Sequence, residues 1–264
     1  DDGGLIHTFS RGGSDITGAL IAEAVGAELY ENWTDVNGFL TADPRIVEHP
    51  AGIKQLSYRE LRELAYMGAN VLHPESIFPV RAGGIPINIR NTFEPENKGT
   101  MIVPEIDETR KGNTITGIAG KKGYSIIYIE KSMMNSEIGF ARKVLSVLEY
   151  YNIGFEHMPS GIDTLSIVVA DSEIAGREGV VLDKIKKTVE PDHVEIKNGI
   201  SLIATVGHGM SFKPGTAAKL CGALSAAGVN IRMIDQGSSE MNIIVAVATE
   251  DYERAVRATY EAFE

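Results

Sequence analysis

The chain repeats itself after residue 123, and that repetition constrains its fold more than any other feature. A strand (124–130), a glycine turn at Gly139, a helix (140–151), two strands (155–159 and 164–170) and a helix (178–189) come first. A strand (201–206), a glycine turn at Gly215, a helix (216–227), two strands (230–235 and 242–248) and a helix (252–263) follow. Gly139 pairs with Gly215, and Asn152-Ile153 with Asn230-Ile231, at separations of 76 and 78 residues. The order β-α-β-β-α, met twice, indicates two α+β ferredoxin-like units. Each has an antiparallel sheet with helices on one face, leaving the other face and an edge open to pairing. The expected boundaries are 113–197 and 198–264, behind a charged linker over 104–112.

Residues 1–103 follow a different rule. Strands expected at 5–9, 28–33 and 85–89 alternate with a helix over 16–27 and with two more after Ser57 and Pro74. Ser57 with Glu60 has the spacing of a capping box, and Gly68 is a stop signal. Alternating strands and helices imply an α/β unit with a mainly parallel sheet. At 264 residues and 43% hydrophobic content the chain can build these cores without staples. One cysteine, Cys221, excludes an internal disulfide framework. A net charge of −11 argues against nucleic acid or an anionic membrane as partner. No apolar run reaches the ~20 residues of a membrane span, and no signal peptide is visible, so a cytoplasmic location is expected. The chain opens without Met on Asp1-Asp2-Gly3-Gly4, which reads as the middle of a longer structure.

Three blocks carry candidate chemistry. Arg11-Gly12-Gly13-Ser14-Asp15 joins a strand to a helix. Its glycines admit a ligand close to the backbone, and the helix N-terminus favours an anion. On pattern alone it is equally a glycine turn capped by Ser14 or Asp15. Trp33-Thr34-Asp35-Val36-Asn37-Gly38, with Thr41-Ala42-Asp43-Pro44-Arg45 behind it, places polar turns after a strand, where α/β sheets bind ligands. Gly68-Ala69-Asn70-Val71-Leu72-His73-Pro74 joins one helix directly to the next. For the second and third blocks, plain turns and a helix joint explain the pattern as well. The six histidines show no metal-ligand spacing, and no metal site is expected.

Taken in order with the paired repeats, these blocks resemble the aspartate kinases over essentially the whole chain, and the repeats look like ACT domains. The resemblance implies a partial amino-acid-kinase fold followed by two ACT units. It implies transfer of the γ-phosphoryl of MgATP to the β-carboxylate of L-aspartate, the first step towards lysine, threonine and methionine. By position, Arg11, Gly12, Gly13 and Ser14 would line the aspartate site and Asp15 would organise the transfer. Thr34, Asp35, Leu40, Arg45, Asn70 and Val71 would border the nucleotide. The family often has Lys at Asn70 and an aromatic residue at Leu40. Its N-terminal Lys-Phe-Gly-Gly-type segment has no counterpart here, so the expectation is a chain inactive by itself. The ACT-like units imply feedback by an end-product amino acid bound near Met133, Met134, Ser136, Gly139, Phe140 and Ala141. Gly154, Phe155 and Glu156 would face them, with Asn230, Ile231 and Gln236 as the edge of the second unit. Glu156 is the expected partner of a lysine ammonium, which favours lysine over threonine. ACT units pair edge to edge, so a homodimer is expected. A non-catalytic amino-acid-binding subunit is the alternative, and another amino-acid kinase, lacking paired ACT units, is a third reading.

Overall fold

The computed structural model describes residues 12–69, 71–72, 76–106 and 114–264. The expected strand over 5–9 and Pro74 lie outside them. Helix α1 (Gly13–Ala24) buries Ile16, Ala19 and Ala22. Strand β1 (Tyr30–Thr34), strand β2 (Gln55–Ser57), helix α2 (Tyr58–Tyr66), helix α3 (Ile77–Ala82), strand β3 (Ile87–Asn91) and strand β4 (Thr100–Val103) follow. The capping box of α2 is present: Glu60 N donates to Ser57 Oγ at 3.2 Å, and Ser57 N donates to Glu60 Oε2 at 2.8 Å.

The sheet of this unit runs β1-β3-β4-β2. It is mixed rather than mainly parallel. β1 lies parallel to β3 and β2 parallel to β4, while β3 and β4 are antiparallel. The short link over 92–99 cannot hold a crossover helix, so β4 must turn back along β3.

The C-terminal half is built on two strands of 14 residues, β5 (Gly117–Glu130) and β7 (His193–Val206), paired antiparallel along their length. Helix α4 (Phe140–Tyr150), strand β6 (Thr164–Ala170), helix α5 (Asp171–Ile174) and helix α6 (Glu178–Val189) lie between them in sequence. Helix α7 (Thr216–Ala226), strands β8 (Ile231–Asp235) and β9 (Asn242–Ala248), and helix α8 (Tyr252–Phe263) follow. The strand order is β6-β5-β7-β9-β8.

The long strands interleave the two units. Tyr124 to Glu130 of β5 pairs with β6, whereas β9 pairs with Ile200 to Val206 of β7. Gly117 to Lys122, expected in the first unit, pairs with Ser201 to Val206 in the second. The expected boundary at 197/198 falls inside β7. A period-two pattern runs unbroken through such a strand and cannot show where one unit hands over to the next.

The strand expected over 155–159 reduces to isolated bridges, His157 to Val168 and Ser160 to Leu165. Pro159 has no N–H to continue the ladder between them. The repeat also aligns differently from the expectation. Ile153 N bonds Leu148 O, and Val229 N bonds Leu224 O, each at 2.9 Å. Asn152 (φ 52°) therefore matches Gly228 (φ 66°) at the left-handed helix end, and Asn230 lies two residues beyond. The offset stays at 76 through α4 and α7, becomes 78 at β6 and β9, and falls to 74 at α6 and α8.

One sheet face carries the helices. Ile127 and Ile129 pack with α4 and α6, and Ile203 and Val245 with α7 and α8. Tyr124, Ile126, Leu202 and Ala246 on the opposite face join Leu61 and Leu64 of α2 in one continuous core. The N-terminal unit is thus anchored on the helix-free face of the five-stranded sheet.

Candidate functional site

Gly12 starts α1 in a left-handed conformation (φ 68°), and no side chain caps the helix. Ser14 and Asp15 are therefore not used as its cap. The Asp15 carboxylate accepts from Asn32 Nδ2 at 3.2 Å, and the Tyr30 hydroxyl donates to the Asp15 carbonyl at 3.3 Å. Asn32 Nδ2 also reaches the Tyr30 hydroxyl at 3.1 Å. The ring of Tyr30 lies over Gly18, where a Cβ would come within 2.7 Å of its hydroxyl. Burial, and less strongly the Asp15 charge, push the Tyr30 pKa up, against the Asn32 hydrogen bond. Tyr30, Asn32 and Thr34 share one half-buried face of β1, so Asp15 is held on the side where Thr34 projects. Sequence reasoning missed Tyr30 and Asn32. The alternation of β1 was the available signal, but their partner lies seventeen residues away from Asn32.

Behind β1 the chain is held by polar contacts. Thr34 Oγ1 donates to Asp35 Oδ1 at 3.2 Å, and Asn91 Nδ2 donates to Asn37 Oδ1 at 2.8 Å. Leu40 forms a bridge with Gly52. Asp43 grips Arg45 through Nε at 3.0 Å and through a terminal guanidinium nitrogen at 2.7 Å. That grip holds the Asp43 carboxyl below its ordinary pKa. The Arg45 side chain remains 86% exposed. It lines an open groove of about 590 Å³ shared with Arg257 and Tyr260 of α8, so this cation faces the second ACT-like unit. Val71 is half-buried. Arg11 and Asn70 lie outside the described residues.

The residues expected at the effector edge divide. Met133 is 71% exposed, while Met134 and Phe140 are buried in the core of the first unit. Gly139 starts α4 with φ 80°, as Gly215 starts α7 with φ 92°. Ser136 is exposed and Ala141 half-buried. Gly154 and Phe155 line an open groove of about 890 Å³ with Arg142, Leu145, Ser146 and Glu149 of α4. Sequence reasoning missed those four, which occupy one outward stripe at the i, i+3, i+4, i+7 spacing of a helix face. Glu156 turns the other way. Its carboxylate faces the Tyr66 hydroxyl, and one of its oxygens is buried without a hydrogen-bond partner. Burial first, then this carboxylate, raise the Tyr66 pKa. In the second unit Asn230 and Gln236 are exposed and Ile231 is half-buried. His157 Nδ1 lies 2.8 Å from Asp235 Oδ2 and ties the two units together.

The turn that leads into α4 is held by carboxylates. Glu137 bridges Lys131 and Lys143, each at 2.6 Å. Asp192 accepts from Ser132 N at 2.6 Å and Ser132 Oγ at 2.7 Å. The hydrogen bonds from Lys131, then Lys143, lower the Glu137 pKa below 4.5, and those from Ser132 lower that of Asp192 below 3.8. A carboxylate with a lower pKa in the folded chain contributes stability that is complete above its unfolded value and lost as pH falls through the folded one. Amide exchange over 131–137 should therefore be flat from neutral pH down to about pH 5 and rise below about pH 4, once intrinsic exchange is divided out.

Residues 1–91 match the family model of the amino acid kinase family, and residues 203–263 match that of an ACT domain. Aspartokinase 3 of Bacillus subtilis is 43% identical over 263 residues, covering 99% of this chain and 57% of the relative. The crystal structure of Clostridium acetobutylicum aspartate kinase superposes with a TM-score of 0.92 at 56% identity, over 99% of this chain and 60% of that one. Escherichia coli aspartokinase III is 27% identical over 97% of this chain. Its complex with aspartate and ADP (R-state) gives a TM-score of 0.79 over 56% of that chain, and its complex with lysine and aspartate (T-state) gives 0.75 over 57%. The chain thus spans somewhat over half of the length of these relatives, 56–60%. An amino-acid-kinase segment set on interleaved ACT units, matched to aspartokinases along almost every residue, shows that the chain belongs to the aspartate kinase family.

Proposed function

We propose that the chain is part of an aspartate kinase that phosphorylates the β-carboxylate of L-aspartate with MgATP under feedback control by an amino acid. The observation that carries this reading is the match, over 97% of the chain, to an aspartokinase solved with aspartate and ADP. Asp15 organises the transfer site, fixed by Asn32, with Gly12, Gly13 and Ser14 around the aspartate. Thr34, Asp35, Leu40 and Val71 border the nucleotide, and Arg45 reaches its phosphates by swinging out of the α8 groove that it lines here. Phosphoryl transfer depends on such positioning and charge stabilisation more than on covalent chemistry. MgATP enters as substrate. The family's lysine-bearing N-terminal motif has no match in this sequence, so turnover is to be assayed with that motif supplied by a relative's kinase half.

The feedback amino acid in this reading is lysine, and the α4 groove is its site. Arg142 and Glu149 both line that groove, a cation for the ligand carboxylate and a carboxylate for its ammonium. Glu149 thereby takes the part expected of Glu156. Ile138 is 97% exposed and Phe155 45%, an apolar rim that a second copy covers in a homodimer. A thermal-shift panel with lysine, threonine, methionine, aspartate and MgATP tests the assignment. Lysine at a hundred times its Kd should stabilise the fold by about 2.7 kcal/mol. Glu149→Gln should abolish that rise and leave any threonine response intact. No response to any amino acid in the panel would remove the feedback reading.

A further inference from the structure

Helix α2 carries polar side chains at three-residue steps that neither the transfer site nor the α4 groove uses. Glu60 has no exposed surface. Its Oε2 accepts from Ser57 N and Ser57 Oγ, each at 2.8 Å, inside the helix cap. Its Oε1 accepts from Thr116 Oγ1 at 2.5 Å and from His208 N at 3.0 Å, both in the regulatory half. Glu63 Oε2 accepts from Asn242 Nδ2 at 2.6 Å, at the start of β9. Tyr66 lies under the Lys121 ammonium, 5.1 Å from the ring centre, with its hydroxyl towards Glu156. Two residues later Gly68 lies so close to the strand that a Cβ there would stand 3.3 Å from the Gly120 carbonyl. The segment of Ala69 and Val71, at the proposed nucleotide border, follows at once.

A helix cap does not need this arrangement. One oxygen of Glu60 completes the capping box, and a solvent-exposed glutamate serves as well. Here the carboxylate is dry, which is tolerable only because four donors converge on it, and two of them belong to the regulatory half. A displacement of that half relative to α2 must break both charge-assisted bonds in the interior. The helix therefore moves with the regulatory half instead of sliding over it, and close packing carries the motion to the helix end.

We propose that Glu60 is a positioning residue that clamps α2 to the second ACT unit, so that a shift of the regulatory pair reaches the nucleotide border at residues 68–72. The inference rests on the feedback reading above and names the route by which that control reaches the site.

Hydrogen exchange on the whole chain, with and without millimolar lysine and in parallel threonine, tests it. Glu60→Ala removes cap and clamp together, so the deciding variant is Thr116→Val, which removes the shorter of the two clamp bonds, leaves only His208 N on Glu60 Oε1, and keeps the capping box. Thr116→Ser restores the hydroxyl, and Ser57→Ala removes the cap hydroxyl with its bond to Glu60 Oε2 while leaving both bonds to the regulatory half. In the parent chain the amino acid should change exchange both at 131–156 and at 58–72. In Thr116→Val the first response should persist and the second should fall about fivefold or more, while Thr116→Ser and Ser57→Ala transmit as the parent does. Undiminished transmission in Thr116→Val overturns the clamp, and so does a parent response confined to 131–156; both leave the feedback reading standing. No response anywhere to either amino acid overturns that reading and the clamp with it.

Discussion

Glu60→Ala is expected to destabilise the chain by about 3–5 kcal/mol, the range for removing one partner from a buried, hydrogen-bonded charge site. The substitution leaves Ser57 N, Ser57 Oγ, Thr116 Oγ1 and His208 N without their acceptor. Each stranded donor costs about 1–3 kcal/mol if it stays dry, and relaxation or a bound water returns part of that. The sum approaches the whole stability of an ordinary domain, about 5–15 kcal/mol. The measurement is the urea midpoint at an unchanged slope, so that the shift reports stability and not a change in unfolded-state compactness. Glu253 supplies the contrast, since it pairs with Lys122 at 3.2 Å with both side chains about half exposed. Glu253→Ala should cost about 0–1 kcal/mol, as surface pairs do. Equal costs for the two variants would mean that burial does not set the energetics of the Glu60 site.

The same residue shows what a sequence discloses. Ser57 and Glu60 are three positions apart, and a local pattern reports local geometry, so the cap could be read directly. Thr116 and His208 lie 56 and 148 residues away, and no periodicity links them to Glu60. Helices α4, α7 and α8 were legible because each shows an apolar stripe, behind a glycine start in the first two. Strands β2 and β4, with three and four residues, are too short to display alternation. The direction of Glu156 was illegible for a related reason. Side chains alternate along a strand, so facing depends on phase, and only His157 and Ser160 are paired in that segment. Asp15 was legible as a motif residue, whereas its support from Asn32 depends on how α1 folds back on β1. Local blocks thus marked the candidate residues, and the contacts that orient them come from elements far apart in the chain.

Gly38→Ala is expected to cost a further class of energy, about 3–5 kcal/mol, from backbone conformation and overpacking together. Gly38 has φ 97°, and an added Cβ would stand 2.2 Å from Thr100 Oγ1 and 2.8 Å from the Thr100 backbone nitrogen. Neither atom has room to yield. Thr100 is fully buried, and its hydroxyl donates to the Ile53 carbonyl at 2.6 Å while accepting from Phe39 N at 2.8 Å. The strand it begins is paired on both sides, with β2 and β3. Gly26 separates the two contributions. It has φ 61° with no atom within 4 Å of an added Cβ, so Gly26→Ala should cost only about 1–2 kcal/mol for the left-handed backbone. The excess at Gly38 measures the wall formed by Thr100. Because Thr34 and Asp35 of the proposed nucleotide border enter this turn and Leu40 leaves it, the displaced loop should on that proposal also weaken MgATP binding when a relative's kinase half supplies the N-terminal motif, while Gly26→Ala leaves it unchanged. Equal costs at Gly38 and Gly26, read from urea midpoints, would mean that the turn gives way freely, and a loop that gives way so freely could not hold the nucleotide border in place.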